Sequence, residues 1–127
     1  MLKVRFSNKG NFEKTNKFLR KIAEGNFLTK LDAWGRFGVE ALSAATPVDT
    51  GTTAASWNYE IHKSRDSIVL EWTNSNTNKG VPIALLIQYG HATGNGGYVQ
   101  GRDYINPAMR PVFDKIAEEA WKEVTVE

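Results

Sequence analysis

Few residues in this chain have the types and spacing that catalysis or metal binding requires. The two histidines, His62 and His91, stand far apart in the sequence. Neither has a paired carboxylate at the spacing of a zinc site, which takes three or four clustered nitrogen, sulfur or carboxylate ligands. His62 falls on the polar side of an alternating segment. His91 follows the end of a short helical one, where a cation helps neutralise the helix dipole. Asp49, in Pro47-Val48-Asp49-Thr50-Gly51, is of a type that can bind metal or act as a base. Without an acidic or histidine neighbour it reads instead as a turn carboxylate that accepts backbone N–H bonds. A serine nucleophile needs a base within hydrogen-bond reach, and no convincing pair stands out. Gly94-Asn95-Gly96-Gly97 has the glycines of a phosphate cradle but lacks the Lys-Ser/Thr of a P-loop and the strand before a dinucleotide fingerprint. The expectation is a protein that is not an enzyme and needs neither metal nor cofactor.

Function is expected instead in the stretch 81–111. The segment from His91 to Asp103 carries Gly94, Gly96, Gly97 and Gly101, flanked by Tyr98 and Tyr104. Two well-patterned segments, Pro82–Tyr89 and Ile105–Val124, hold its ends. A long, mobile loop on a firm base is where function tends to sit when the core is ordinary. His91, Gly94, Asn95, Gly96, Gly97, Tyr98, Gln100 and Arg102 are therefore the candidate interaction residues.

The elements that position this loop follow from periodicity. Leu2–Ser7 alternates apolar and basic residues and predicts a strand with one wet face. After an Asn8–Asn11 turn, Phe12–Ala23 predicts a helix with Lys14, Lys17, Arg20 and Lys21 outside, ended by Gly25-Asn26. From Phe27 a single helical stripe recurs at 31, 34, 38, 41, 42 and 45. Gly35 and Gly38 weaken that helix and predict close approach of another backbone. Thr46, preceding Pro47, stops it, and Gly51 permits a positive φ. Trp57, Tyr59 and Ile61, then Ile68, Leu70 and Trp72, alternate as a hairpin with one buried face. Asn74–Gly80 is polar, without apolar anchors, and is expected to be mobile. Pro82 suits the first position of a short helix closed by Gly90. The last helix holds its apolar spacing through about five turns, with Asn106 as cap, Pro107 at the first position and a kink or loose turn expected at Pro111.

Composition bounds the rest. The 127 residues suit one domain spanning 1–127, and the 41% hydrophobic and 24% charged shares are those of a folded globule. There is no cysteine, no signal-peptide pattern and no apolar run near the ~20 residues of a membrane span, so a soluble, intracellular protein is expected. The net charge of +2 is unevenly placed: residues 1–36 carry nine Lys/Arg against three Asp/Glu, the remainder seven against eleven. Such polarity suits solvated helix faces, head-to-tail stacking, or a nucleic-acid partner. The alternative function is therefore a nucleic-acid-binding module whose phosphate contacts are Lys14, Lys17, Arg20 and Lys21.

Three blocks in order carry a resemblance: Pro47-Val48-Asp49-Thr50-Gly51 followed by Ser56-Trp57, then Gln88-Tyr89-Gly90-His91, then Tyr104-Ile105-Asn106-Pro107-Ala108. The succession resembles the small neck and tail-completion (head-to-tail joining, minor tail component) proteins of long-tailed bacteriophages, over roughly Phe27 to Val124. Those proteins show a Pro-Val-Asp-Thr-Gly turn before a Ser-Trp or Ser-Ile strand, an apolar segment ending Glu-Tyr-Gly-Thr, and a final helix opening aromatic-x-x-Pro-Ala. Here Gln88 replaces the glutamate and His91 the threonine, which puts in doubt any ionic contact the glutamate makes with a neighbouring subunit. The Thr52–Ala55 segment lacks the arginine often found after the turn. The resemblance implies an α+β fold, a small antiparallel sheet packed against N-terminal helices and a long C-terminal helix. It also implies a structural virion protein at the head–tail junction, from a phage or prophage, assembled in the bacterial host cytoplasm. It would form a ring, expected to be hexameric, among head-connector and tail proteins, with DNA passing through the lumen without sequence-specific binding and no membrane partner.

Overall fold

The computed structural model describes residues 1–7, 25–47, 51–64 and 67–125. The segment bearing Lys14, Lys17, Arg20 and Lys21 lies outside them, as do Val48, Asp49 and Thr50 of the turn. The fold is α+β, as expected: strands β1 (Leu2–Ser7), β2 (Trp57–Lys63) and β3 (Ser67–Asn74) form an antiparallel sheet in the order β1-β3-β2. Two long helices, α1 (Gly25–Ala45) and α4 (Ile105–Thr125), complete the core. Among the described residues no helix is long and apolar enough to cross a membrane.

Register puts the alternation to use. Val4 lies opposite Leu70 and Leu70 opposite Ile61, while Leu2, Trp72 and Tyr59 form the next row. This face packs on α1, whose Phe27, Leu31, Trp34 and Leu42 are buried, and on α4 through Met109, Val112 and Ile116. Phe6, Phe27 and Trp34 meet at ring-centroid distances of 5.7–6.1 Å, a spacing that favours aromatic pairs. Four large aromatics also place a polar atom. Trp34 Nε1 donates to Glu119 (3.1 Å), Tyr59 Oη to Asp32 (3.1 Å), Trp72 Nε1 to the Gly35 carbonyl (2.9 Å) and Trp57 Nε1 to Thr46 Oγ1 (2.9 Å).

The glycines of α1 serve a different purpose from the one expected. What a Cβ there would meet first is an aromatic ring rather than a backbone. A Cβ at Gly35 would enter the Tyr59 ring, and one at Gly38 the Trp72 indole. The helix therefore beds on the sheet's aromatics, and the lost helix propensity is set against their close packing. Pro111 is also accommodated: α4 continues through it to Thr125. Pro107 and Pro111 are both exposed, so the Pro107 carbonyl, which Pro111 has no N–H to serve, belongs to a residue at the surface.

Three further expectations are corrected. Gly51 does not take a positive φ; it opens a short helix, α2 (Gly51–Ala54). The Asn74–Gly80 segment is an ordered turn, with strands β4 (Thr77–Asn78) and β5 (Val81–Pro82) paired. Its anchors are polar: Asn74 Nδ2 donates to the Thr53 carbonyl (2.8 Å), Asn74 Oδ1 accepts from the Asn76 N–H (3.0 Å), and Asn76 Nδ2 donates to Thr53 Oγ1 (2.9 Å). Thr53 is buried, so these asparagines satisfy groups that would otherwise be stranded. Finally, Pro82 is the N-cap of helix α3 (Ile83–Tyr89) and not its first residue, with φ −61° and ψ 126°.

Candidate functional site

The glycine-rich segment is a hairpin. Strands β6 (Gly90–Ala92) and β7 (Tyr98–Gln100) pair antiparallel, Gly90 opposite Gln100, His91 opposite Val99 and Ala92 opposite Tyr98. The Thr93 N–H donates to the Gly97 carbonyl (2.9 Å), and Gly96 (φ 85°) turns the chain between them. The expected long loop is thus short strands around a tight turn, projecting from the end of α3.

Two glycines join the hairpin to its base. Gly90 ends α3 at φ 82°, its N–H on the Leu86 carbonyl. A Cβ there would lie 2.5 Å from the Val99 carbonyl, and a Cβ on Gly101 would lie 2.5 Å from the Gln88 carbonyl. The two backbones therefore touch where any side chain would separate them. Just beyond, the Arg102 N–H donates to the Ile87 carbonyl (2.8 Å).

Gln88, buried in α3, locks this base to α4. Its Oε1 accepts from the backbone N–H groups of Tyr104 (3.0 Å) and Ile105 (2.8 Å), and its Nε2 donates to Asp103 Oδ1 (2.7 Å). The first N–H groups of a helix have no partner within it; here a remote carboxamide supplies one. The expected cap, Asn106, instead donates from Nδ2 to Asp103 Oδ1 (3.0 Å). Tyr104 Oη donates to the Ala84 carbonyl (2.8 Å). Burial pushes that phenol up to about 12, with a hydrogen bond to Thr46 acting in the opposite sense. Gln88 therefore works within the chain, bracing α3, the hairpin and α4 against one another.

Three large apolar side chains are exposed on the hairpin and at its base. Tyr89 is 67% exposed, Tyr98 66% and Val99 46%, and Tyr98 Oη donates to the Tyr89 carbonyl (3.1 Å). Gly94, Asn95, Gly96, Gly97, Gln100 and Arg102 are exposed beside them, so the candidate interaction residues share one projection. His91 is half-buried, with Nδ1 shielded and without a hydrogen-bond partner. Tyr89 was not among the candidates; its place at the end of α3, adjoining the loop, was the available signal.

His62 departs from its expected isolation. On the solvent face of the sheet, Glu60 lies opposite Glu71, and both carboxylates reach the imidazole. His62 Nε2 is 3.3 Å from Glu60 Oε2 and 3.2 Å from Glu71 Oε1. One potential ligand atom from each of the three lies within 4.8 Å of the others. The Met1 ammonium, hydrogen-bonded to Glu71 Oε2 at 2.8 Å, is the main reason that carboxyl is held below its ordinary range; Lys3 and His62 act in the same sense, against burial. Sequence reasoning missed the cluster because Glu71 comes from the neighbouring strand.

Of the turn residues, Pro47 follows α1 and Gly51 opens α2. Compared with family models, curated proteins and solved structures, the chain matches none.

Proposed function

We propose that this chain is a structural virion protein of the phage head–tail junction, a ring-forming neck or tail-completion component that joins tail to head around the DNA passage. The observation that supports the reading best is how the resembling blocks meet. Thr46, immediately before the turn block, accepts a hydrogen bond from Trp57 of the Ser-Trp strand. Gln88 of the Gln-Tyr-Gly-His block accepts from Tyr104 and Ile105 of the last. The motifs are thus a framework, and from that framework extends a hairpin that carries exposed Tyr98 and Val99 in β7, with exposed Tyr89 at its base.

A pre-ordered apolar projection suits docking, because little entropy remains to be lost on binding. In this reading the hairpin meets a head-connector or tail protein, or the next copy of the chain. A head-to-tail contact between copies closes into a ring when the subunit rotation allows, with six copies the expected number. DNA would pass through the lumen without base-specific contacts.

The test is joining itself: purified protein added to DNA-filled heads and to tails lacking it, with joined particles counted by electron microscopy. The expected result is joining that depends on the protein and drops sharply for the Tyr98→Ser, Val99→Ser double variant, with density at the neck or tail top. No association with either particle, together with salt-sensitive binding to free DNA, would replace this reading with the nucleic-acid module.

A further inference from the structure

We infer that Glu60, His62 and Glu71 form a site for one borderline divalent transition ion of the zinc class, independent of the joining role. A ring nitrogen holds either a single proton or a single lone pair, and one proton cannot point straight at two acceptors. Yet two carboxylate oxygens converge on His62 Nε2, at 3.2 and 3.3 Å. An ion placed among the three satisfies all of them. With metal–ligand bonds of ~2.1 Å, neighbouring ligands stand about 3.0 Å apart in an octahedron and about 3.4 Å in a tetrahedron. The two nitrogen–oxygen spacings fall between these, and the two carboxylate oxygens lie within 4.8 Å of each other, a gap that the exposed Glu60 side chain can close by rotation.

The donor set selects the ion. One imidazole nitrogen with two carboxylate oxygens suits zinc, nickel or cobalt, whereas magnesium and calcium prefer oxygen alone. The ligands are held by the sheet: Glu60 and His62 project from the same face of β2, and Glu71 faces Glu60 across the ladder. The Met1 ammonium and Lys3 Nζ (3.8 Å) both take Glu71 Oε2, leaving Oε1 toward the imidazole. They lower the affinity for a cation without blocking the position. The remaining coordination positions open to solvent, since His62 and Glu60 are exposed.

The experiment is calorimetric titration of the tag-free, chelator-stripped chain with zinc chloride at neutral pH, with magnesium chloride as a second titrant. Binding of one zinc per chain is expected, with none for magnesium. His62→Ala and Glu60→Gln should each weaken zinc by at least about tenfold, the scale on which even outer partners of a metal matter, while His91→Gln should leave it unchanged. Both test positions are exposed, and circular dichroism checks that the variants fold. Absence of zinc binding, or binding unaffected by His62→Ala, would overturn the site and leave a cluster bridged by a proton only.

Discussion

Gln88 Oε1 stands 2.8 Å from the backbone nitrogen of Ile105, seventeen residues later, and so caps the last helix from the last turn of another one. The contact fixes the end of α3, the base of the hairpin and the start of α4 relative to one another.

Gln88→Ala removes the acceptor of two buried N–H groups and the donor to Asp103. A stability loss of about 1–3 kcal/mol is expected, read as a lower urea midpoint. Gln88→Glu retains the acceptor but sets a second carboxylate against Asp103. It should also destabilise at neutral pH, and less so on acidification, as one carboxyl regains a proton to donate.

Gly90→Ala places a methyl group against the Val99 carbonyl at a left-handed backbone position. Strain of roughly 1–3 kcal/mol is expected, with faster amide exchange at β6 and β7. Gly94→Ala is the matched control. Its Cβ would meet open space and its φ is not positive, so exchange in the hairpin should be unchanged.

Two groups set opposite pH limits. The folded Glu71 carboxyl is held below its ordinary range. It adds stability above the unfolded carboxyl's titration, and that stability disappears as pH falls through the folded value. Glu71→Gln should flatten the acid limb of a stability–pH curve. Tyr104 is raised from 10.0 to about 12, so its contribution is complete below pH 10.0 and lost as pH rises toward 12. Tyr104→Phe should flatten the alkaline limb.

Where side-chain period decided structure, the sequence was readable. The stripe from Phe27 and the one from Ile105 are helices because apolar residues at three and four positions apart share a face. The β2–β3 hairpin is legible for the same reason at period two. Asn74–Gly80 and His91–Asp103 were read as mobile because their strands are two or three residues long, too short for any period. Their order comes from hydrogen bonds to Thr53 and Gln88, distant in sequence. Gly35 and Gly38 announced a close approach, but whether backbone or ring would arrive depended on which face α1 laid against Tyr59 and Trp72.

The amino-acid order alone thus determined the long helices, the paired strands and the apolar stripes that form the core. The tertiary structure decided that Gln88 rather than Asn106 caps α4, that the glycine-rich segment is a braced hairpin, and that Glu60, His62 and Glu71 converge. Local propensity acts over a few residues and leaves its mark in their spacing. Pairings such as Gln88 with Ile105 or Glu71 with His62 exist only once strand register and helix docking have set the distances between segments.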